Sequence, residues 1–393
     1  MHPVIAIPAY SRASSLKRLL NSINEAVYPD GPPIELIITV DGGASQSVVD
    51  IADSFIFKHG SKTVEKKERN IGLNEQILWC GDLTRKYGSV IILEDDLYVD
   101  KYFYQYAVEA LCTYKNDPRI MGIALFSPRY NQMAKLGFEA MSNGFSAYFA
   151  QHVCTWGEAF TETQWSRFRT WLEVADSDEV DKDPHVPAVV KTWRGSWDKY
   201  LAAYMIQNDL YFVYPYQSYT TNFSDPGGVH SPSGTYQFQV PLAAANRPAE
   251  QYSFCDYCDS LAVYDAYLEP KSPELYKELG IRPKDIEIDI YGIKPLSVLQ
   301  KKRYVLTSKK CSNVMKTFKL GMRPVEKIVS DPIQKKVDPR FGFSNQVYLA
   351  ESKNIESIKR PFYEQINYFS YYQMENKYFI RRYILNYLSK LLG

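Results

Sequence analysis

Three short and almost continuously apolar segments in the first hundred residues constrain the fold of this chain most strongly. They are residues 4–7 (VIAI), 34–40 (IELIITV) and 89–93 (SVIIL). Runs of this length and composition are typical of strands that are buried on both faces of a sheet. Segments with apolar residues at helical spacing lie between them, at 16–23, 46–55 and 74–87. Strands that alternate with helices predict an α/β fold with a mostly parallel central sheet.

Polar side chains follow each of these three predicted strands. Arg12 comes shortly after the first strand, and Asp41 comes directly after the second. The acidic triplet Glu94, Asp95 and Asp96 comes directly after the third. Parallel strands have their carboxyl ends at the same edge of the sheet, and ligands of such sheets bind at that edge. We therefore expect these side chains to lie close together in a ligand site.

The acidic triplet is the strongest single indication of chemistry. Three adjacent carboxylates repel one another unless a cation compensates them. Mg²⁺ and Mn²⁺ prefer oxygen ligands and commonly bind through one or two carboxylates together with substrate phosphates. No GxxxxGK[ST] or GxGxxG phosphate loop is present in the sequence. A metal would therefore carry most of the recognition of a diphosphate, whereas the alternative interpretation of the triplet is a solvated acidic turn.

Composition and charge limit the classes of partner. The chain has 46 Lys and Arg against 45 Asp and Glu, which gives a net charge of +1. Such a balance produces no whole-protein field that would attract nucleic acid, so we expect no nucleic-acid partner. The start of the sequence has no apolar core of a secretory signal, and no run is long enough to span a membrane. The expected location is the cytoplasm.

Several ordered motifs resemble those of glycosyltransferases with the GT-A fold, the nucleotide-diphospho-sugar transferase fold. They are IPAYSR at 7–12, TVDGG at 39–43, ERNIGL at 68–73 and LEDDL at 93–97. The EDD form is similar to that of N-acetylglucosaminyltransferase I, and the whole pattern resembles bacterial glycosyltransferases of the family 2 type. Three further stretches extend the likeness over about residues 3–240: TWGEAF at 155–160, GSWDKYLAAYM at 195–205 and GGVH at 227–230. In TWGEAF, Glu158 stands where the family has an aromatic residue.

The resemblance implies a role for each matching position. Asp96 would bind the metal that bridges the two donor phosphates, and Asp198 would act as the general base. Glu94 and Asp95 would contact hydroxyl groups of the donor sugar or ribose. Asp41 and Arg12 would hold the nucleoside. The remaining donor contacts, several of them through the backbone, would come from Pro8, Ala9, Tyr10, Asn70, Gly72 and Leu73.

His230, within the GGVH stretch, resembles a residue of the loop that closes over the donor. It would reach the diphosphate or the metal. The alternative interpretation is a buried structural histidine, because a lone histidine is often one whose ring nitrogens are satisfied within the protein. The sequence leaves both interpretations open.

The implied reaction is metal-dependent sugar transfer with inversion, from a nucleotide-diphosphate sugar to a glycan or a lipid-linked glycan. We expect the donor to be a UDP-sugar. Mn²⁺ or Mg²⁺ would be the cofactor. One base without a second nucleophilic carboxylate suits a single displacement. Against this, an aspartate at a helix start is held ionised by the helix dipole, which makes it a weaker base. Two alternatives remain: a sugar-1-phosphate nucleotidyltransferase, and a carbohydrate-binding protein without activity.

The sequence divides into a predicted glycosyltransferase domain at 1–265 and an irregular or helical accessory region at 266–393. Within the first part, 158–172 is predicted to be an amphipathic helix. The stretch 376–392 is rich in Tyr and Leu, carries four basic residues and has no acidic residue. A basic amphipathic helix of this kind can lie on an anionic membrane surface. The alternative is a helix docked on the domain or on a second subunit, and the accessory region would then serve acceptor, membrane or homo-oligomer contacts.

Overall fold

The computed structural model describes residues 1–153, 155–227, 238–243, 252–318, 324, 326–330 and 347–356. Two compact units are present. The first comprises residues 1–129 and 140–277, and the second comprises 130–139 and the described part of 278–393.

A nine-stranded sheet forms the centre of the first unit. Its strands are β1 (Val4–Ala9), β2 (Ile34–Val40), β3 (Gly60–Lys66), β4 (Ser89–Ile92), β6 (Ile120–Ala124), β9 (Ala147–Ala150), β10 (Glu158–Thr161), β11 (Tyr211–Pro215) and β13 (Val263–Tyr264). Their order across the sheet is β13-β9-β11-β6-β10-β4-β1-β2-β3. Five neighbouring pairs are parallel and three, two of them involving β10, are antiparallel. The predicted mostly parallel α/β sheet is confirmed.

Two further strands, β5 (Leu97–Val99) and β12 (Thr220–Asn222), form a separate antiparallel pair. The α-helices among the described residues as far as residue 279 are α1 (Ala13–Asn24), α2 (Gln46–Ser54), α3 (Gly72–Asp82), α4 (Thr84–Tyr87), α5 (Phe103–Tyr114), α6 (Glu162–Leu172), α7 (Ser177–Lys182), α8 (Ala188–Lys191), α9 (Trp197–Gln207) and α10 (Pro273–Leu279).

Two groups of helices cover the sheet. Apolar side chains of α1, α2 and α5 pack with alternate residues of the central strands, such as Ile5 and Ile7, in one continuous core. Helices α3, α6 and α9 pack with one another in a second group. Gly81 of α3 lies so close to the indole of Trp165 in α6 that a Cβ atom would come within 2.0 Å of it. The same indole lies 6.2 Å from the ring of Trp197 at the start of α9, measured between ring centroids. This packing places the start of α9 beside α3.

The predicted helix at 158–172 is wrong for its first four residues. Residues Glu158–Thr161 form β10, which inserts antiparallel between β4 and β6. The helix begins at Glu162 because Thr161 and Gln164 form a capping box, in which each side chain accepts a hydrogen bond from the other residue's backbone N–H. An apolar pattern this short fits either structure, and the two neighbouring strands decide the outcome.

The second unit contains a four-stranded sheet that the sequence pattern did not predict. Its strands are β14 (Ile286–Asp289), β15 (Tyr304–Thr307), β17 (Val347–Glu351) and β16 (Lys316–Phe318), in that order across the sheet. The unit also contains the short pair β7 (Tyr130–Asn131) and β8 (Leu136–Gly137) and the helices α11 (Leu296–Leu299) and α12 (Lys327–Ser330). Strands of three to five residues carry too little periodicity to be recognised in a sequence.

No helix in the part of the chain that the structure describes is long and apolar enough to cross a membrane. The predicted amphipathic helix at 376–392 lies outside the described residues.

Candidate active site

The carboxyl ends of β1, β2 and β4 lie side by side, because β1 pairs in parallel with both of its neighbours. Arg12 follows β1 as the residue before α1, and Asp41 follows β2. Glu94, Asp95 and Asp96 lie in the turn between β4 and β5. The structure thus brings all five of these predicted site residues to one edge of the sheet.

Arg12 is paired with two carboxylates of the acidic triplet. Its Nη1 donates a hydrogen bond of 2.7 Å to Oδ2 of Asp96, and its Nη2 donates to Oδ1 of Asp95. The side chain of Arg12 is 17% exposed, that of Asp96 9% and that of Asp95 8%. Two acids so far removed from water need a compensating cation, and the guanidinium supplies it.

Asp96 is also contacted by a segment that lies 126 residues further along the chain. Nδ2 of Asn222 donates a hydrogen bond to Oδ1 of Asp96 at 3.3 Å, and the backbone N–H of Phe223 donates one to the main-chain oxygen of Asp96 at 3.0 Å. The pairing of β12 with β5, in which Asn222 is opposite Leu97, brings this segment to the acidic turn. Asn222 could not be recognised from the sequence, since nothing local to either segment indicates their contact.

A second arginine lies beside the acidic turn. Arg18 of α1 pairs with Asp225, and its guanidinium carbon lies 3.9 Å from the ring centroid of Phe223. Its Nη2 also lies 3.4 Å from the main-chain oxygen of Asp96. The hydroxyl of Ser15 donates to Asp225 at 2.6 Å. These contacts connect the segment after β12 to α1. No local sequence pattern marks Ser15, Arg18, Phe223 or Asp225 as part of the site.

Asp41 holds the loop that leads into α3. Its Oδ1 accepts hydrogen bonds from the backbone N–H groups of Gly42 and Ile71, at 2.9 and 2.8 Å. Its Oδ2 accepts from the N–H of Gly72 at 2.9 Å. Gly72 has φ +81, a conformation that favours glycine. Asp41 therefore positions the loop at 70–73, which the resemblance assigned to donor binding.

Other predicted donor contacts differ in their exposure. Pro8 and Ala9 are buried within β1. Tyr10 and Leu73, by contrast, are 44% and 40% exposed, so their side chains are accessible to a ligand. Asn70 lies in the exposed part of the loop that Asp41 holds. His230 lies outside the described residues, so both interpretations of it stand as the sequence left them.

Asp198 lies in the first turn of α9, and its Oδ1 accepts a hydrogen bond of 2.9 Å from the backbone N–H of Lys199. The start of α9 is attached to the start of α3 through Asn74. Its side-chain amide donates to the main-chain oxygen of Gly195 and accepts from the N–H of Trp197 at 3.1 Å. The packing of α9 against α3 thereby fixes the position of Asp198.

The carboxyl groups of this site act on one another electrostatically. Burial raises the pKa of Glu94 well above its usual range, and the negative charges of Asp96, Asp95 and Asp198 add to the effect. Burial also raises the pKa of Asp95 to about 6, although the charge of Arg12 opposes the shift. Asp198 is therefore within electrostatic range of the acidic triplet, and this environment favours the protonated form of Glu94.

Glu158 is the most unusual group at this edge. The residue is 1% exposed, and neither carboxyl oxygen has a hydrogen-bond partner among the residues that the structure describes. It lies opposite Ile92 and Ala124, the last residues of β4 and β6, and so at the edge that carries the acidic triplet. Burial raises its pKa well above the usual range, and the charges of Glu94 and Asp198 raise it further. The sequence showed Glu158 only as a departure from the family pattern.

We expect Glu158→Gln to change how the stability of the protein depends on pH. The raised pKa means that the folded protein keeps a proton that the unfolded chain releases above about pH 4.5. The stability of the wild type therefore falls as pH rises from that value to the folded-state pKa, by up to about 1.4 kcal/mol per pH unit from this group. Glutamine does not titrate, so the melting temperature of the variant should rise relative to that of the wild type as the pH increases from 5 to 8. Parallel curves would contradict a protonated Glu158.

The chemistry of the site fits a hard divalent cation that is bound partly by its substrate. No group of three or more His, Cys, Asp and Glu side chains is arranged to hold a metal within the described ranges. Asp96 nevertheless offers carboxylate oxygens at the end of a strand, and Mg²⁺-type sites often consist of one or two carboxylates completed by phosphates. The protein alone thus supplies part of a coordination sphere.

Comparison with known proteins gives a family for this part of the chain. Residues 4–173 match the family described as glycosyl transferase family 2. This segment contains β1 to β6, the acidic triplet and Glu158. No curated protein matches the chain.

Several solved structures are similar at low identity. S. aureus TarS 1–349 in complex with UDP-GlcNAc is 17% identical over 29% of this chain and 32% of its own, with a TM-score of 0.25. The mannosyltransferase PcManGT from Pyrobaculum calidifontis, with GDP-Man and Mn²⁺, is 16% identical over 42% and 46%, with a TM-score of 0.30. TarS 1–349 without a named ligand is 12% identical over 56% and 60%, with a TM-score of 0.36.

The chain spans between about a third and three fifths of the length of these structures. Similarity at this level carries no argument about activity, so the enzyme class depends on the family match. The resemblance to family 2 glycosyltransferases that the motifs predict is confirmed for residues 4–173, the segment that matches the family.

Proposed function

We propose that this protein transfers a sugar, with inversion, from a UDP-sugar to a hydroxyl group of a glycan or lipid-linked glycan, and that the reaction requires Mn²⁺ or Mg²⁺. One observation carries the proposal. Within a glycosyl transferase family 2 domain, the acidic turn after β4 lies within electrostatic range of Asp198 at the start of α9. A metal-binding carboxylate and a general base are the two groups that this reaction needs.

The donor would bind along the edge formed by β1, β2 and β4. Asp96 would hold the metal, and Glu94 and Asp95 would contact donor hydroxyl groups. Arg12 would bind the nucleoside or its phosphates. Asp41, the 70–73 loop and the backbone from Pro8 to Tyr10 would complete the nucleoside site. The hydrogen bonds that Asp41 accepts from the backbone N–H groups of Gly42, Ile71 and Gly72 support this arrangement, since they connect two of these segments.

A bound divalent ion would supply charge neutralisation for the leaving diphosphate. Asp198 would take the proton of the acceptor hydroxyl as the new glycosidic bond forms. Burial raises the pKa of both Glu94 and Glu158, which disfavours the ionised form that a nucleophilic carboxylate would need. One general base without a second nucleophilic carboxylate suits attack by the acceptor hydroxyl in a single displacement, hence inversion.

The two alternative functions are disfavoured by specific features. A nucleotidyltransferase normally has a glycine-rich phosphate loop after its first strand, and residues 8–12 (PAYSR) contain no glycine. A carbohydrate-binding protein without activity would not need Asp96 and Asp198 within one site.

The decisive experiment measures donor turnover with UDP-GlcNAc, UDP-GalNAc, UDP-Glc and UDP-Gal, with Mn²⁺ and with EDTA. We expect UDP release from one or two of these donors, and a fall of about 10²-fold or more in EDTA, since metal ions contribute several kcal/mol to such reactions. Consumption of a nucleoside triphosphate with a sugar 1-phosphate would instead identify a nucleotidyltransferase. Binding without any turnover would identify a carbohydrate-binding protein.

We propose a role in polysaccharide biosynthesis in the cytoplasm, with the accessory region at 266–393 contacting the acceptor, a second subunit or the membrane face. The composition of 376–392 supports a membrane contact, because its basic and apolar residues suit an anionic lipid surface.

A further inference from the structure

Arg12 contacts the same carboxylate to which the proposed function assigns the metal. Its Nη1 lies 2.7 Å from Oδ2 of Asp96, and its Nη2 contacts Asp95. The other oxygen of Asp96 faces the side-chain amide of Asn222 at 3.3 Å. Both oxygens of Asp96 therefore already have hydrogen-bond donors. A divalent ion has to displace at least one of them in order to bind.

The position of Arg12 also explains how the acidic turn is stable without a metal. Burying an ionised carboxylate costs several kcal/mol unless a charge compensates it. Arg12 supplies that charge to two carboxylates that are more than nine-tenths buried. Removal of the guanidinium would leave two adjacent acids that attract any available cation.

We infer that Arg12 is a resident counter-cation that competes with the divalent metal for Asp96 and is released by the diphosphate of the donor. This inference rests on the proposed function, which places the metal on Asp96. A guanidinium binds phosphate through two parallel hydrogen bonds, so an arriving diphosphate offers Arg12 an alternative anionic partner. The metal and Arg12 then both bind the donor, and the carboxylate of Asp96 becomes available to the metal.

The exchange makes metal binding and donor binding cooperative. Metal alone binds weakly because it must displace Arg12, whereas metal with UDP binds tightly because the diphosphate has taken Arg12. Coupling between two ligands is reciprocal, so Mn²⁺ increases the affinity for UDP by the same factor as UDP increases that for Mn²⁺. Couplings of this kind commonly amount to about 5–150-fold.

Binding of Mn²⁺ to the full-length protein, measured by electron paramagnetic resonance with and without UDP, tests the inference. In the wild type we expect UDP to tighten Mn²⁺ binding by about 5–150-fold. In Arg12→Met we expect Mn²⁺ to bind more tightly without UDP than it does to the wild type, with the gain from UDP largely lost. Arg12→Lys keeps a competing positive charge and should bind Mn²⁺ weakly without UDP, as the wild type does.

Thermal stability gives an independent measurement that does not require UDP. Arg12→Met should lower the melting temperature, and Mn²⁺ should restore part of the loss because it replaces the missing cation. Arg18→Met is the matched control. Arg18 pairs with Asp225 and contacts Asp96 at its main-chain oxygen rather than its carboxylate. Mn²⁺ should not restore the stability of that variant.

Two results would overturn the inference, and they are distinguishable. Equal Mn²⁺ affinity of the wild type and Arg12→Met without UDP, together with tight binding when UDP is present, would overturn the role of Arg12 alone. The metal assignment, and this inference with it, would be overturned if the double variant Arg12→Met/Asp96→Ala still bound Mn²⁺. The same conclusion would follow if neither the wild type nor any variant bound Mn²⁺ even with UDP present.

Discussion

Asp198→Asn is expected to lower the rate of sugar transfer by about 10²–10⁴-fold, the range for loss of a general base. Asparagine has nearly the same shape as aspartate but cannot accept the proton of the acceptor hydroxyl. The donor contacts are assigned to the acidic turn and to the edge formed by β1 and β2, so the KM for donor should change little. A fall in kcat at nearly constant KM is the pattern of a group that acts mainly in the transition state.

The alternative role for Asp198 is purely structural, since an acid in the first turn of a helix interacts favourably with the helix dipole. Its Oδ1 also accepts a hydrogen bond from the backbone N–H of Lys199. Asparagine can still accept the Lys199 hydrogen bond, so the variant would lose only the interaction of the charge with the dipole. That loss would lower stability by about 0.3–1 kcal/mol and leave turnover unchanged below the melting temperature. Measuring turnover, donor affinity and melting temperature on the same variant separates the two roles.

Glu162→Gln provides a matched control for this experiment. Glu162 is exposed and lies in the first turn of α6, which has 11 residues, as α9 does. Its replacement removes the same kind of helix-dipole interaction without altering the site. Normal turnover in Glu162→Gln beside a stable and inactive Asp198→Asn would support the base assignment. A stable Asp198→Asn protein that binds donor and turns over near the wild-type rate would exclude it.

Asp96→Ala is expected to abolish the dependence of UDP binding on Mn²⁺ and to lower transfer by about 10²–10³-fold or more. The variant removes the carboxylate assigned to the metal, whose neutralisation of the diphosphate contributes several kcal/mol. Asp95 remains as a partner for Arg12, so the buried guanidinium keeps one compensating charge. Asp96→Asn, which preserves the shape, should show the same loss. The measurements are Mn²⁺-dependent UDP binding by calorimetry and transfer with a donor identified from the panel.

Asp117→Ala controls for the loss of an Asp–Arg pair as such. Asp117 pairs with Arg119 at 2.8 Å, and both lie before β6 rather than in the acidic turn. We expect this variant to lose some stability but to keep Mn²⁺-dependent UDP binding. Full wild-type transfer by Asp96→Ala, or full activity of the wild type in EDTA, would refute the metal assignment.

The local pattern of the sequence was sufficient for the centre of the fold. The strand at 34–40 has the predicted limits, and the other two predicted strands differ by one or two residues. Apolar runs and helical spacing are properties of neighbouring residues, so they can be recognised without any knowledge of the rest of the chain. Because the strands are parallel, their order in sequence also predicted that Arg12, Asp41 and the acidic triplet would share one edge.

The antiparallel strand β10 shows where local pattern failed. The segment 158–161 was predicted to begin a helix, but it lies between β4 and β6 and leaves the helix to begin after the capping box. This insertion carries Glu158 to the edge of the acidic triplet and buries its carboxyl group there. Pairing with strands that are about 35 and 70 residues away in sequence has no local signature, which is why sequence alone could not predict it.

The partners of the acidic turn were decided by tertiary structure alone. The sequence predicted that Arg12 would share the edge with the acids, but not that its guanidinium would pair with Asp95 and Asp96, nor that Asn222 would contact Asp96. Arg12 is 84 residues from Asp96, and Asn222 is 126 residues from it. Only the packing of α1 and the pairing of β5 with β12 bring them together. The amino-acid sequence determined the strands, the shared edge and the acidic charge, because these depend on neighbouring residues. The tertiary structure determined which cation compensates that charge, because side chains remote in sequence meet only when the chain is folded.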